Sequence, residues 1–187
     1  AAPAPQQPYT TWSDYGGGAD GMQYSALKQI NKTNVNQLEL AWFYQVPGPT
    51  RRFGFNPVIV DGLMYVMAKE GAIVALDAAT GKEVWSHSVD GTPTDRGINY
   101  WESEDRSDRR LLFTANGYLQ AIDARTGQHI KSFGKAGFVD FKEAVPRANP
   151  TGTPGHIFQD LILMGSTTGE GYGSSLGHLR AYNVITG

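Results

Sequence analysis

The chain has 187 residues, 16 basic and 18 acidic, for a net charge of −2. That near balance gives no electrostatic case for a nucleic-acid or anionic-membrane partner, and the length suits one domain, two at most. There is no cysteine, which excludes a disulfide framework, a thiolate zinc site and a cysteine nucleophile, while 23 glycines and only 18% charged residues point to an all-β protein rich in turns.

Residues 1–11 are rich in Pro, Ala and Gln and read as a loose extended arm. The start, Ala1-Ala2-Pro3, lacks an initiator Met and reads as a mature end left by signal-peptide cleavage, which predicts a periplasmic or secreted protein. Trp12 to Gln23 is a glycine-rich packed loop. Asn31 to Leu38 carries one short helical turn with Asn31 or Thr33 as its N-cap. Residues 1–37 thus form an arm and loop. Leu38 to Val46 is an aromatic strand ended by Pro47-Gly48.

Repeats follow. Asn56 to Val60, the Asp61-Gly62 turn, Leu63 to Met67, the Lys69-Glu70-Gly71 turn, Ala72 to Asp77, Thr80-Gly81 and Glu83 to His87 make four strands in meander order. A second set runs from Ile98-Trp101 through Leu111-Thr114, Asn116-Gly117 and Tyr118-Asp123 to His129-Phe133. A long excursion with weak strand signals, Gly134 to Thr153, leads to a third set: His156-Phe158, Leu161-Gly165 and Leu179-Tyr182.

The same phrase punctuates each set: Ala75-Leu76-Asp77-Ala78-Ala79-Thr80-Gly81, Ala121-Ile122-Asp123-Ala124-Arg125-Thr126-Gly127 and Ala181-Tyr182-Asn183-Val184-Ile185-Thr186-Gly187. Recurrence at blade-sized intervals predicts an all-β β-propeller of four-stranded antiparallel blades. About three blades of a presumed eight are expected: 56–89, 96–133 and an incomplete 154–187, with 38–46 as the closing strand of the last blade. The Asp, Thr and Gly of the phrase are framework. Asp or Asn bonds turn amides and Gly supplies positive φ, so recurrence does not make them catalytic.

The run Glu102 to Arg110 mixes both charge signs and reads as a solvated loop with local ion pairs. Trp42 and Trp85 hold equivalent positions and read as inter-blade packing. His87, His129, His156 and His178 are scattered without metal-ligand spacing.

Three further stretches carry chemistry. Asn31-Lys32-Thr33-Asn34-Val35-Asn36-Gln37-Leu38 with Ala41-Trp42, then Arg96-Gly97-Ile98-Asn99-Tyr100-Trp101, then Gly165-Ser166-Thr167-Thr168-Gly169-Glu170-Gly171-Tyr172-Gly173 resemble, in order, motifs of the pyrroloquinoline-quinone (PQQ) dependent dehydrogenases. The phrasing around Arg96 and Glu170 is similar to the glucose/sugar-type branch. The resemblance implies PQQ and calcium as cofactors, with Arg96, Thr151, Thr167, Thr168, Gly169 and Glu170 at PQQ and Glu170 also on calcium. Thr153 is the close alternative to Thr151.

These residue types suit the task. A tricarboxylic quinone needs cations and backbone donors for its carboxylates, and a hard Lewis acid at its quinone oxygen. Arg96 offers a planar fork whose competing use is an ion pair with Asp95 or Glu102. Glu170, in a loop of small residues, offers calcium a carboxylate. The alcohol-oxidising members carry adjacent cysteines where Asp90-Gly91 stands here, which argues against that subgroup. A cofactor contact of many relatives falls near Gly54, leaving Asn56 or Arg52 to supply it.

The resemblance further implies oxidation of a sugar or alcohol hydroxyl and electron transfer to a respiratory acceptor, a quinone or cytochrome c. No nucleic acid is involved. The family's catalytic base falls beyond the third blade, so no catalytic residue is assigned here. The remaining blades are expected from a longer chain or a second chain, and the 187 residues alone are expected to be inactive. The alternative is a non-catalytic propeller that scaffolds protein assembly.

Overall fold

The computed structural model describes residues 9–18, 20–46, 54–68, 71–91, 93–143, 145–146, 148–174 and 177–187. The expected arm up to residue 8, the Pro47-Gly48 stop, Arg52 and the Lys69-Glu70 turn lie outside them. Among the described residues eleven strands form three antiparallel sheets. The first sheet holds β1 (Val58–Val60), β2 (Leu63–Met67), β3 (Ile73–Asp77) and β4 (Glu83–His87). The second holds β5 (Asn99–Glu102), β6 (Arg109–Ala115), β7 (Tyr118–Asp123) and β8 (Phe138–Asp140). The third holds β9 (His156–Phe158), β10 (Leu161–Gly165) and β11 (Leu179–Asn183). All three follow meander order.

Turn chemistry sets the registers. Asp61-Gly62 takes positive φ at both positions, as does Asn116-Gly117, and these two-residue loops pair Val60 with Leu63 and Ala115 with Tyr118. The recurring phrase closes each β3–β4-type turn on itself. Asp77 Oδ1 accepts from the Ala79 and Thr80 amides at 3.1 and 2.8 Å and from the Thr80 hydroxyl at 2.7 Å. Asp123 repeats the pattern with Arg125 and Thr126, and Asn183 with Ile185 and Thr186. Asn serves as well as Asp because the turn needs one acceptor oxygen, not a charge. The Thr80 hydroxyl and amide also hold the Asp77 carboxyl below its ordinary range.

Each turn glycine has a second job. A Cβ on Gly81 would stand 2.4 Å from the Trp42 ring, and one on Gly127 would stand 2.6 Å from Trp85. The tryptophan of one layer therefore rests on the bare turn of the next, as expected for inter-blade packing. Trp42 also donates through Nε1 to the Ala78 carbonyl at 3.1 Å.

Sheets one and two bury both faces, while the third leaves Phe158, Leu161 and Leu179 exposed. Ile73 and Ala75 of β3 join Leu111 and Phe113 of β6 in a core between sheets one and two, while Val74 and Leu76 face Trp42, Tyr44 and Val46. Leu112, Leu119 and Ala121 meet Phe133, Phe141, Ile162 and Met164 between sheets two and three. Such two-sided burial is why the strands read as continuous apolar runs. Arg110 ties sheet two to the third turn, donating through Nη1 to the Val184 and Ile185 carbonyls at 3.1 and 2.8 Å while paired with Asp108 at 2.6 Å.

Three expectations need correction. The fourth strand of sheet two is not His129–Phe133. Ile122 pairs with His129 and the Ile130 amide reaches Ala121, then the chain leaves. Phe133 turns into the core, Gly134 donates to the Thr186 carbonyl, and β8 rejoins β7 at Gln120. The strand is split because burying Phe133 and meeting the third turn outweigh an unbroken ladder, so sheet two extends to Asp140.

Segment 38–46 forms no ladder among the described residues; the blade it is expected to close lies outside this chain. Trp42, Tyr44 and Val46 pack on sheet one while Leu40 and Phe43 remain exposed. The helical turn is a 3-10 turn, Val35–Gln37, with Asn34 at its N-cap and no side-chain cap. Asn31 Oδ1 instead accepts from the Thr33 amide and hydroxyl. Finally, the charged run is not purely local. Arg106 and Arg109 both reach Asp61 of the β1–β2 turn, at 2.6 and 3.0 Å, as well as Glu102.

Candidate cofactor-binding face

Strand alternation sorts the connections to two ends. The Asp-x-x-Thr-Gly turns, Asp61-Gly62 and the charged loop share one end of the sheets. The segments before β5 and β9, and the β6–β7 and β10–β11 connections, share the other. Every candidate site residue lies on these latter segments, so framework and site occupy opposite ends.

Arg96 is exposed, and its side chain has no hydrogen-bond or ion-pair partner among the described residues. Neither expected competitor takes it: Glu102 is engaged by Tyr100, Arg106 and Arg109. The Arg96 backbone, in contrast, is fixed. Its carbonyl accepts from the Asn56 amide at 2.9 Å and the Asn56 side chain at 3.3 Å. Gly97 lies under Tyr15, whose ring would be 2.9 Å from a Cβ there. Asn56 is thereby committed to the backbone of Arg96.

Thr151 and Thr153 occupy one spot, with their hydroxyls 2.7 Å apart, so either can face a ligand. Two links hold this segment. Thr151 donates its amide to the Gly165 carbonyl at 3.2 Å, and buried Asn99 donates through Nδ2 to the Pro154 carbonyl at 2.6 Å. A Cβ on Gly152 would meet the Asp95 carboxylate at 2.8 Å, which shows how closely the Arg96 segment approaches.

The third segment starts at β10. Thr167 donates both amide and hydroxyl to the Asn149 carbonyl, at 2.9 and 3.2 Å, so its amide is spent within the protein. The amides of Thr168, Gly169 and Glu170, by contrast, have no partner among the described residues, and all three residues are exposed. Gly169 is glycine for space: a Cβ would stand 2.7 Å from Ser174 Oγ, which bonds the Gly171 carbonyl.

The structure adds Ser166. Its hydroxyl is buried without a partner where the loop leaves β10, beside the Pro150 bridge. An orphaned buried hydroxyl calls for a partner from outside the chain's own bonds. Nothing in the sequence separates it from the other small polar residues of its loop.

Two histidines that looked scattered also meet. His87 and His129 stack at 6.3 Å between sheets one and two, and burial lowers the His87 pKa. This contact is remote in kind from the site, being held by Phe113 and Phe138.

The donor set suits a planar polycarboxylate: one unpaired guanidinium, a hydroxyl pair, an orphaned hydroxyl and three exposed amides on adjoining segments. The fit to a metal is thinner. Glu170 is exposed, and among the described residues no group of three His, Asp or Glu side chains could hold an ion. Calcium takes about six to eight oxygens, so Glu170 would be one ligand of several.

Residues 12–187 match the family described as PQQ: glucose/ethanol/alcohol dehydrogenase, beta-propeller domain. The chain belongs to this family. Among its curated relatives, quinate/shikimate dehydrogenase (quinone) of Acinetobacter baylyi is 29% identical across 98% of this chain and 27% of that protein. The dehydrogenase subunit of alcohol dehydrogenase (quinone) from Gluconobacter oxydans is 38% identical across 65% of this chain and 16% of that protein. The crystal structure of quinohemoprotein alcohol dehydrogenase from Comamonas testosteroni superposes with a TM-score of 0.75 at 28% identity, covering 98% of this chain and 27% of that one. The chain thus spans about a quarter of the length of these full-coverage relatives, and the three sheets are propeller blades of that family's fold.

Proposed function

We propose that this chain forms one wall of the cofactor site in a PQQ- and calcium-dependent dehydrogenase that oxidises a sugar or alcohol hydroxyl and passes electrons to a quinone or cytochrome c. The observation that carries the proposal is the convergence of Arg96, Thr151 with Thr153, and the Ser166–Glu170 segment at one end of the sheets. The relatives named above act, by their names, on quinate or shikimate and on alcohols.

Each residue has a task. Arg96 holds a carboxylate or quinone oxygen with its fork, fixed from behind by Asn56 and Tyr15. Thr151 or Thr153, the Ser166 hydroxyl and the Thr168–Glu170 amides bond carboxylate oxygens. Thr167 acts by holding its loop against Asn149. Glu170 contributes one calcium ligand. Held there, PQQ would supply a two-electron acceptor and calcium a Lewis acid for its carbonyl. The base is expected from the part of the propeller beyond these blades, so the 187 residues alone should be inactive. A scaffolding propeller, the second reading, would leave Arg96 and the orphaned Ser166 hydroxyl without a task.

The test is a PQQ titration of the full natural protein with calcium, read by tryptophan quenching. Arg96→Ala should weaken uptake at least tenfold, the scale of a charged hydrogen bond. Glu170→Gln should remove the calcium dependence. Uptake absent in the wild type, or indifferent to both changes, overturns the reading.

A further inference from the structure

The break in the outer strand of sheet two puts a histidine at a joint. His129 bridges Ile122 just before the chain leaves β7, and Phe138 opens β8 where the chain returns opposite Gln120. Between them Gly134 donates to the Thr186 carbonyl of the third turn. On the facing sheet, His87 ends β4. Four rings then meet in series. Phe113 stands edge-on to His87 at 6.2 Å, His87 stacks on His129 at 6.3 Å with planes 10° apart, and Phe138 covers His129 at 4.9 Å. Two imidazoles thus face each other with a phenyl ring against each.

This series has no provision for charge. His129 Nε2 is buried without a partner among the described residues, and Gly137 leaves the place of a Cβ to that nitrogen. His87 has one tie, to the backbone of Gly127, the turn on which Trp85 rests. The charged groups of the surrounding elements are committed elsewhere. Glu83, at the far end of β4, accepts from Tyr44 at 2.7 Å, and Asp77 and Asp123 cap the turns after β3 and β7. Arg109 and Arg110 of β6 serve Asp61 and Asp108, Lys135 pairs with Glu143, and Asp140 of β8 accepts from the Lys142 amide. Tyr118 touches Phe138, while Asp90 and Lys131 are exposed. Among the described residues, His129 is the one charge that acts on His87. Burial lowers the His87 pKa, the Gly127 bond opposes it, and the His129 charge lowers it again.

We infer that the His87–His129 stack is an acid-sensitive latch between sheets one and two. Neutral, the two rings seat Phe138 and with it the returning strand β8. Protonated, they repel each other, and the buried His129 nitrogen carries a proton it has nowhere to donate. Phe138 is then released and β8 leaves the edge of β7. Because Gly134 is bonded to Thr186, the same release loosens sheet two from the third turn. A lowered folded pKa favours the neutral imidazole, so the latch holds fully above the ordinary value of about 6.5 and gives way as pH falls through the folded one. The latch is independent of the cofactor reading, since none of its residues lies on the cofactor-binding face.

The test is amide hydrogen exchange of the full natural protein, followed by mass spectrometry from pH 7.5 to 5 and corrected for intrinsic rates. Protection of segment 134–141 should fall by up to about tenfold per pH unit below the folded His87 value, while β2 and β3 keep theirs. His129→Phe leaves a flat uncharged ring against Phe138 and should abolish the fall, as should His87→Phe. Exchange at the imidazole C2 position, read on the wild type alone, follows each histidine separately, and His87 should titrate below about 6.5. Protection of 134–141 indifferent to pH, a fall that persists in both variants, or one shared equally by β2 and β3 overturns the inference. So does a wild-type His87 that titrates at or above the ordinary imidazole value.

Discussion

Replacing Gly127 by Ala tests the claim that the repeated turn is a seat for the preceding tryptophan. Two costs add. Gly127 has φ +70, where an L-residue costs roughly 1–2 kcal/mol. The new methyl would stand 2.6 Å from Trp85, an overpacking that costs about 1–3 kcal/mol. Together they predict a loss of about 2–5 kcal/mol, which lowers Tm by roughly 5–15 °C for a chain of this size. Truncating Trp85 to Ala removes the clash, so in that background Gly127→Ala should cost only the backbone part, about 1–2 kcal/mol. Urea unfolding of the four proteins of this cycle, followed by far-UV circular dichroism, isolates a coupling of about 1–3 kcal/mol. Equal cost in both backgrounds would show that Trp85 does not bear on the turn and would refute the reasoning.

Three other outcomes follow from contacts described above. Arg110→Ala should cost about 1.5–3 kcal/mol, the scale of losing charged hydrogen bonds to two carbonyls of the third turn and to the partly exposed Asp108; Asp108→Ala in addition should recover part of it in the same unfolding assay. Asn99→Ala should cost about 1–3 kcal/mol by calorimetry and loosen PQQ uptake, whereas Asn99→Asp should fail to restore uptake because the Pro154 carbonyl needs a donor. Burial raises the Asp14 pKa, against the opposing Ser13 hydrogen bond and His156 charge. A raised folded pKa favours the protonated form, so this contribution is complete below the unfolded value and is lost as pH rises through the folded one. Asp14→Asn should therefore raise Tm at neutral pH more than near pH 3; an equal rise at both would contradict it.

What the sequence made legible was local. The Asp77, Asp123 and Asn183 turns could be read because each acceptor finds its donors within three residues. The two-sided strands showed because both faces of β3 and β6 are buried. The candidate segments around Arg96 and Ser166–Glu170 could be singled out because each is one continuous stretch. What escaped depended on distant partners. The break after Ile130 needs Thr186 to receive Gly134, and no window around His129 contains that information. Thr167 looked free to serve a ligand until Asn149, from a stretch without strand pattern, took its amide. Ser166 stands out only through what fails to reach it.

The loop from Trp12 to Gly17 bears on how the molecule comes apart. Its Trp12 carbonyl accepts from Ile59 of the first sheet, and Tyr15 covers Gly97 at the head of the second. An array of stacked repeats ordinarily melts as a sum of nearest-neighbour terms, fraying from its ends. A stretch of chain that touches two successive repeats adds to the coupling between them, so that loosening the first sheet draws on the head of the second.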